Sequence, residues 1–236
     1  MNSSLTRGLY SDVLDFAHTT PSWFQFLAEI WTEAGLLLFG VLFLVVWWQA
    51  RPGGSRAVAV AVLAPVGTAV AYVCSEAAKS VIQENRPCRT VTDAVSLVPC
   101  PPVGDWSFPS NHSTIAAAAA VTLVLARRGL AWLTVPMALL MGFSRVFVGV
   151  HYPHDVAVGL VLGTVAATLF VLVATRPVQR LVESMRGSGS GAARWLAGPG
   201  DGAGDPAGDG AGAGAGAGTG RGRPAGSRGR HSAGRS

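Results

Sequence analysis

Long apolar runs separated by short polar interruptions fill residues 23–175 of this chain. From Trp23 the sequence turns apolar, most strongly over Ala34–Trp48, and the run closes on Trp47-Trp48, an aromatic pair suited to a membrane interface. Glu29 and Glu33 are expected near that boundary. Further runs cover about Ala57–Ser80, Ser110–Ala126, Leu130–Phe147 and His154–Thr175. The pattern predicts an all-α polytopic membrane helical bundle of about five transmembrane helices. Residues 1–22, which contain Pro21, are expected to form a short N-terminal interfacial segment, and 23–186 the membrane-embedded domain. Pro136 inside the fourth run is tolerable in a membrane helix. The third and fifth runs are rich in alanine, valine and glycine, which allow close helix approach, so these two are expected at the centre.

The interruptions are of three kinds. Arg51-Pro52-Gly53-Gly54-Ser55-Arg56 is a turn with two positive charges, and Arg127-Arg128-Gly129 is another. Residues 81–110 are polar and proline-rich and read as an ordered extramembrane loop. From Gly187 to Ser236 the sequence is Gly/Ala/Asp/Arg low complexity, which cannot bury enough apolar surface to offset chain entropy. A disordered tail without catalytic role is expected there, with Trp195-Leu196 as its one apolar spot.

Composition agrees with a membrane protein: 50% of residues are hydrophobic and only 13% charged, against roughly 25% in soluble domains. The net charge of +5 does not indicate a nucleic-acid partner, because the basic residues sit in short turns and the tail without interleaved aromatics. The three cysteines have no metal-ligand spacing. No cleaved signal peptide is expected, and the first apolar run is expected to target the chain to the membrane. With five spans, Arg51 and Arg56, Arg127 and Arg128, and Arg176, Arg180 and Arg186 all fall on one side. The positive-inside rule makes that side cytoplasmic and the N-terminus extracytoplasmic.

Three polar clusters then share the opposite, extracytoplasmic side. Lys79, the only lysine, precedes Arg86-Pro87 by six residues. Each cation alone could merely reach for the interface, but together they could hold a phosphate between a point charge and a planar fork. Pro109-Ser110-Asn111-His112 opens a helix, where Ser110 or Asn111 could be a simple cap or the N–H groups could bind an anion beside His112. Ser144-Arg145 ends the fourth run, and His151 and Asp155 follow at helical i,i+4 spacing, fit either for a carboxylate-polarised imidazole or for an interfacial histidine with a helix cap. His154, in the same turn, reads as an ordinary histidine.

Taken jointly, Lys79-x6-Arg86-Pro87, Pro109-Ser110-x-His112 and Ser144-Arg145-x5-His151-x3-Asp155 resemble the signature of the type 2 phosphatidic acid phosphatase family, whose superfamily includes the vanadium haloperoxidases. The resemblance spans residues 79–155 and implies an acid-phosphatase/vanadium-haloperoxidase-like core. It implies that His151 attacks phosphorus to give a phosphohistidine, with Asp155 raising its nucleophilicity. His112 would protonate the leaving oxygen and later help activate water. Lys79, Arg86 and Arg145 would hold the phosphoryl oxygens, helped by Ser110 and the backbone at Asn111, while Ser144 would support Arg145 or touch the phosphate. Such chemistry rests on positioning and charge, and neither cofactor nor metal is expected.

Asn111 departs from the glycine commoner at that position and is similar to polar residues in the bacterial undecaprenyl-diphosphatase branch. The expected substrate is therefore a lipid (di)phosphate presented at the outer face of a bacterial plasma membrane, foremost undecaprenyl diphosphate from cell-wall assembly. Phosphatidic acid and phosphatidylglycerol phosphate are the alternatives. A non-enzymatic transporter or lipid-binding protein is the reading of another class, weakened by the small number of spans and the lack of an inverted repeat. Cys88 and Cys100 share the extracytoplasmic loop and are expected to pair there, leaving Cys74 free within a span. The sequence is silent on oligomeric state.

Overall fold

Helix boundaries fall where the sequence supplies chain breakers. The computed structural model describes residues 6–92 and 94–200, and among these every regular element is helical. They are α1 (Arg7–Thr19), α2 (Ser22–Ala50), α3 (Ser55–Ile82), the short α4 (Pro87–Thr90), α5 (Asn111–Ala126), α6 (Ala131–Phe147), α7 (Pro153–Gly187) and α8 (Gly191–Ala197). Pro21 precedes α2, and Pro52 lies just beyond its end. Gln83 closes α3 in the left-handed region, at φ 51°, with its N–H on the Lys79 carbonyl at 3.1 Å. Pro153 occupies the first turn of α7, where its missing N–H costs nothing.

The membrane-bundle expectation holds. α2, α3, α7 and the stretch Arg128–Phe147 are long and apolar enough to cross a membrane. α5 has 16 residues and rises only about 24 Å, so the third expected span is shorter than the others. Its surroundings explain how so short a helix serves. α5 packs against α2, α3, α6 and α7, and its Ala116, Ala118 and Ala119 are fully buried. α3 and α7 flank it and also pack on each other.

Small residues set this spacing, as the alanine- and glycine-rich runs predict. Gly163 of α7 lies against the Thr114 backbone of α5, where any Cβ would collide with the carbonyl group. At Gly159 a Cβ would come within 2.7 Å of the Ser110 carbonyl oxygen. The perimeter is apolar: Leu37, Leu44, Val173 and Trp132 face outward, the last 90% exposed. A surface of that kind matches lipid rather than water.

Within the expected N-terminal interfacial segment, Arg7–Thr19 form a helix. α1 buries Tyr10, Leu14 and Ala17 against the loops at one end of the bundle, and the Tyr10 hydroxyl donates to the Gly149 carbonyl at 3.0 Å. At the other end, the stretch expected to be disordered from Gly187 contains a helix among its described residues. α7 continues to that residue, and α8 folds back so that Trp195 packs on Trp47 while the Arg51 guanidinium lies 4.9 Å from its ring. Arg186 donates to the carbonyls of Arg51 and Gly53 at 3.2 and 2.8 Å, giving this short piece a scaffold the composition does not advertise. The remainder of the expected tail, 201–236, lies outside the described residues.

α3 runs about 42 Å from the Arg51–Arg56 turn to its last turn, which carries Lys79. The arginine-rich turns and the three polar clusters therefore occupy opposite ends of the bundle.

Candidate active site

Five segments converge at the end of the bundle opposite the arginine turns. Lys79 comes from the last turn of α3, and Arg86 from the residue preceding α4. His112 is the second residue of α5, Arg145 lies in the last turn of α6, and His151 and Asp155 bracket the start of α7. Lys79, Arg86, Arg145, His151 and Asp155 are all buried, with Lys79 only 5% exposed. Buried charges of this kind require partners.

The loop of residues 83–110 folds over the site and is closed by a disulfide between Cys88 and Cys100, Cα–Cα 6.1 Å. Arg89 donates to the Pro101 carbonyl across the same loop. The Ser107 N–H reaches the Glu84 carbonyl at 2.8 Å, and the Phe108–Pro109 peptide is cis. Cys74 is free and exposed on α3.

Arg86 organises the centre. Its Nε donates to the Asp105 carbonyl at 2.8 Å and one terminal nitrogen to the Asp105 carboxylate at 2.9 Å. Its other terminal nitrogen faces the Val150 carbonyl at 3.1 Å and His151 Nε2 at 3.0 Å. A guanidinium can only donate, so His151 Nε2 must present its lone pair and the ring proton must lie on Nδ1. Nδ1 in turn faces Asp155 Oδ2 at 3.3 Å. The sequence spacing thus brings the carboxylate onto the imidazole.

Asp155 Oδ2 also accepts from the Tyr152 N–H at 2.8 Å and from the Ser107 hydroxyl. Helix cap and histidine orienter, which the sequence presents as rival readings, are one side chain doing both. Burial first, then the charges of Arg86, Arg145 and Lys79, push the His151 imidazole well below its ordinary pKa. The ring is thereby held neutral.

Arg145 donates to Thr32 of α2 at 2.7 Å, and Ser144 donates to the same hydroxyl at 3.2 Å and to the Met141 carbonyl at 2.8 Å. Ser144 therefore supports Arg145 through Thr32. The Arg145 Nε is buried with no hydrogen-bond partner in the fold, a donor left over for another group.

Ser110 caps α5, accepting from the N–H and hydroxyl of Ser113 at 3.5 and 3.0 Å. Asn111 is turned toward α3, where its amide oxygen accepts from Ser75 at 2.7 Å and its nitrogen donates to Glu76. His112 lies within electrostatic reach of Arg145, Arg86 and Lys79.

Asp105, Ser107 and Thr32 are the members that sequence reasoning missed. Asp105 is half exposed and bridges Arg86 and Lys79, the latter at 3.4 Å. Burial raises its carboxyl pKa, but the hydrogen bond and charge of Arg86, aided by Lys79, outweigh this and hold it below the ordinary carboxylate range. Asp105 lies in the polar loop as one acid among several turn formers, and Thr32 in an apolar run, so neither carries a local signal.

A neutral imidazole backed by a carboxylate and faced by buried cations, on an apolar helical bundle, is the arrangement that the type 2 phosphatidic acid phosphatase motifs lead one to expect. Residues 60–178 match the PAP2 superfamily, and the chain belongs to it. Among curated proteins it is 36% identical over 119 residues to an undecaprenyl-diphosphatase of Sulfolobus acidocaldarius, covering 50% of this chain and 57% of that protein. It is 31% identical over 140 residues to undecaprenyl-diphosphatase BcrC of Bacillus subtilis (strain 168), covering 59% and 69%. Among solved structures, Aquifex aeolicus LpxE matches 72% of this chain and 97% of its own with a TM-score of 0.58. At 20% identity that likeness speaks for the fold.

Proposed function

We propose that this protein is a membrane lipid phosphatase that hydrolyses undecaprenyl diphosphate to undecaprenyl phosphate and orthophosphate through a phosphohistidine. The observation that carries the reading is the fixed tautomer of His151, with Nδ1–H toward Asp155 and the Nε2 lone pair facing the buried cations. Nε2 attacks the terminal phosphorus, and the bond from that phosphorus to the bridging oxygen breaks. His112 gives the leaving oxygen its proton. The same imidazole then takes a proton from water, whose oxygen attacks phosphorus and releases His151. Lys79, Arg86 and Arg145 balance the charge on the non-bridging oxygens, with the unpartnered Arg145 Nε as a ready donor.

Two features favour a polyprenyl substrate. Both relatives described above bear the name undecaprenyl-diphosphatase. In addition, Trp31, Leu140, Phe143 and Phe147 line an apolar groove between α2 and α6, with Ser144 at its wall beside the Thr32–Arg145 pair. The groove suits an isoprenoid chain whose phosphates enter the cation cluster. The arginine-rich end lies opposite the site, and by the positive-inside rule this arrangement supports chemistry at the extracytoplasmic face.

Phosphate release by purified protein from undecaprenyl diphosphate, phosphatidic acid and phosphatidylglycerol phosphate in one detergent tests the reading. The first is expected to turn over fastest, and preference for either glycerolipid would replace it as substrate. The His151→Ala variant is expected to lose at least about 10³-fold in rate, on the scale of removing a nucleophile. Near-normal turnover of that variant would overturn the assignment.

A further inference from the structure

Behind the His151–Asp155 pair, Asp155 also belongs to a second cluster with Glu84 and His154, two residues that the proposed phosphoryl transfer does not use. His154 Nε2 faces both oxygens of Glu84, at 3.2 and 3.3 Å, and Asp155 Oδ1 at 3.2 Å. Its other nitrogen, Nδ1, is engaged by the Thr6 hydroxyl at 2.7 Å. The ring is stacked on Tyr152, with centroids 5.3 Å apart and planes 14° from parallel, so its direction is fixed.

Glu84 and Asp155 are both buried, Asp155 completely. Asp155 spends Oδ2 on Tyr152, Ser107 and His151. Its Oδ1, although within ion-pair distance of His154, accepts no hydrogen bond: the atoms are close but not aligned. A proton on Nε2 therefore serves Glu84 and leaves Oδ1 without a donor.

A cation between the three groups meets all of them at once. The candidate ligand atoms lie within 4.8 Å of one another. The shorter separations match the edges of a tetrahedron with arms of about 2.0–2.1 Å, roughly 3.3–3.4 Å. One imidazole and two carboxylates suit a borderline metal such as zinc better than magnesium or calcium, which take more oxygen ligands. A hydrogen-bond acceptor on the far nitrogen is the usual outer support of a ligating histidine, and the Thr6 hydroxyl is placed to accept from Nδ1.

We propose that Glu84, His154 Nε2 and Asp155 Oδ1 form a binding site for a zinc-like divalent ion, distinct from the phosphate site and inhibitory when filled. The inhibitory part rests on the proposed role of Asp155 in the reaction. A cation on Oδ1 draws charge from the carboxylate that orients His151, weakening its hold on the Nδ1 proton as the nucleophile attacks. Chelation is then expected to leave turnover intact or raise it, and added zinc to lower it.

The test uses full-length protein in detergent, stripped with chelator and titrated with Zn²⁺ by calorimetry and with Co²⁺ by visible absorption. One metal per chain is expected, with an intense tetrahedral cobalt band, and Glu84→Gln and His154→Gln should each bind more than about tenfold more weakly. Thermal unfolding checks that the variants fold, and the wild-type cobalt spectrum stands independently of them. Failure of the wild type to take up stoichiometric metal, which is the result if Nε2 carries only a proton, would overturn the site. So would undiminished affinity in both folded variants. Metal uptake with unchanged phosphate release would overturn the inhibitory role. Absence of metal binding by the wild type with hydrolysis intact refutes this site alone, whereas metal binding by the wild type without hydrolysis of any lipid phosphate refutes the proposed reaction alone.

Discussion

Asp105 occupies a position that the proposed phosphoryl group would contest. Its carboxylate bridges Arg86 and Lys79, two of the three cations proposed to hold substrate oxygens. Substrate must then displace this carboxylate or share its partners. Asp105→Asn is expected to tighten competitive inhibition by orthophosphate by about tenfold, the scale of one charge-assisted hydrogen bond. Weaker inhibition in the variant would instead make Asp105 an organiser of Arg86. The pH dependence has a defined sign. Because the folded pKa is depressed, the competing charge is fully present above the ordinary carboxylate pKa and is lost only as pH falls through the lowered value. The difference between wild type and variant should therefore persist from about pH 5 to 8. Lys79, Arg86, Arg145, His151 and Asp155 were legible in the sequence because their chemistry lies in fixed local spacing. Thr32 was not, since it meets Arg145 across 113 positions of sequence and looks like any polar residue in an apolar run.

At the scale of elements, contact between α5 and α7 brings His112 within electrostatic reach of His151. Gly163 sits on the Thr114 backbone with no space for a side chain. Gly163→Val is expected to force the two helices apart and cost about 1–3 kcal/mol or more, read as a lower unfolding temperature in detergent. An unchanged transition would mean that the helices yield without strain. The groove between α2 and α6 makes a separate prediction. Leu140→Trp should fill it and raise KM for a long-chain diphosphate several-fold, while leaving hydrolysis of a short soluble phosphate ester nearly unchanged. Equal losses on both substrates would remove the groove from chain binding. The glycine and alanine content announced close packing of the third and fifth runs. The run Ser110–Ala126 also carried the shortness of α5, while only the fold showed that neighbouring helices surround it on most sides.

For the whole molecule, the opposition of the arginine turns and the site makes topology testable. In intact cells, after mild reduction, a membrane-impermeant thiol reagent should label Cys88 and Cys100 in a Cys74→Ser background. Labelling only after cell lysis would place the site on the cytoplasmic side. The end carrying the arginines is also more ordered than low-complexity sequence suggests, because Arg51, Trp47 and Arg186 provide a surface on which α8 settles.

The sequence by itself determined the helical membrane architecture, the membership of the three polar clusters and the pairing of His151 with Asp155. Each is written in short-range information: run length, helical spacing and residue type. Tertiary structure decided which proton His151 carries, because that depends on Arg86 arriving from another segment. It also decided that Ser110 and Ser144 spend their hydroxyls within the fold, and that Asp105 sits between two of the cations. The same is true of Glu84 and His154, which are unremarkable in the sequence and meet only because the end of α3 and the start of α7 are folded against each other. Local patterns fix what a segment is; the meeting of distant segments fixes what its side chains face.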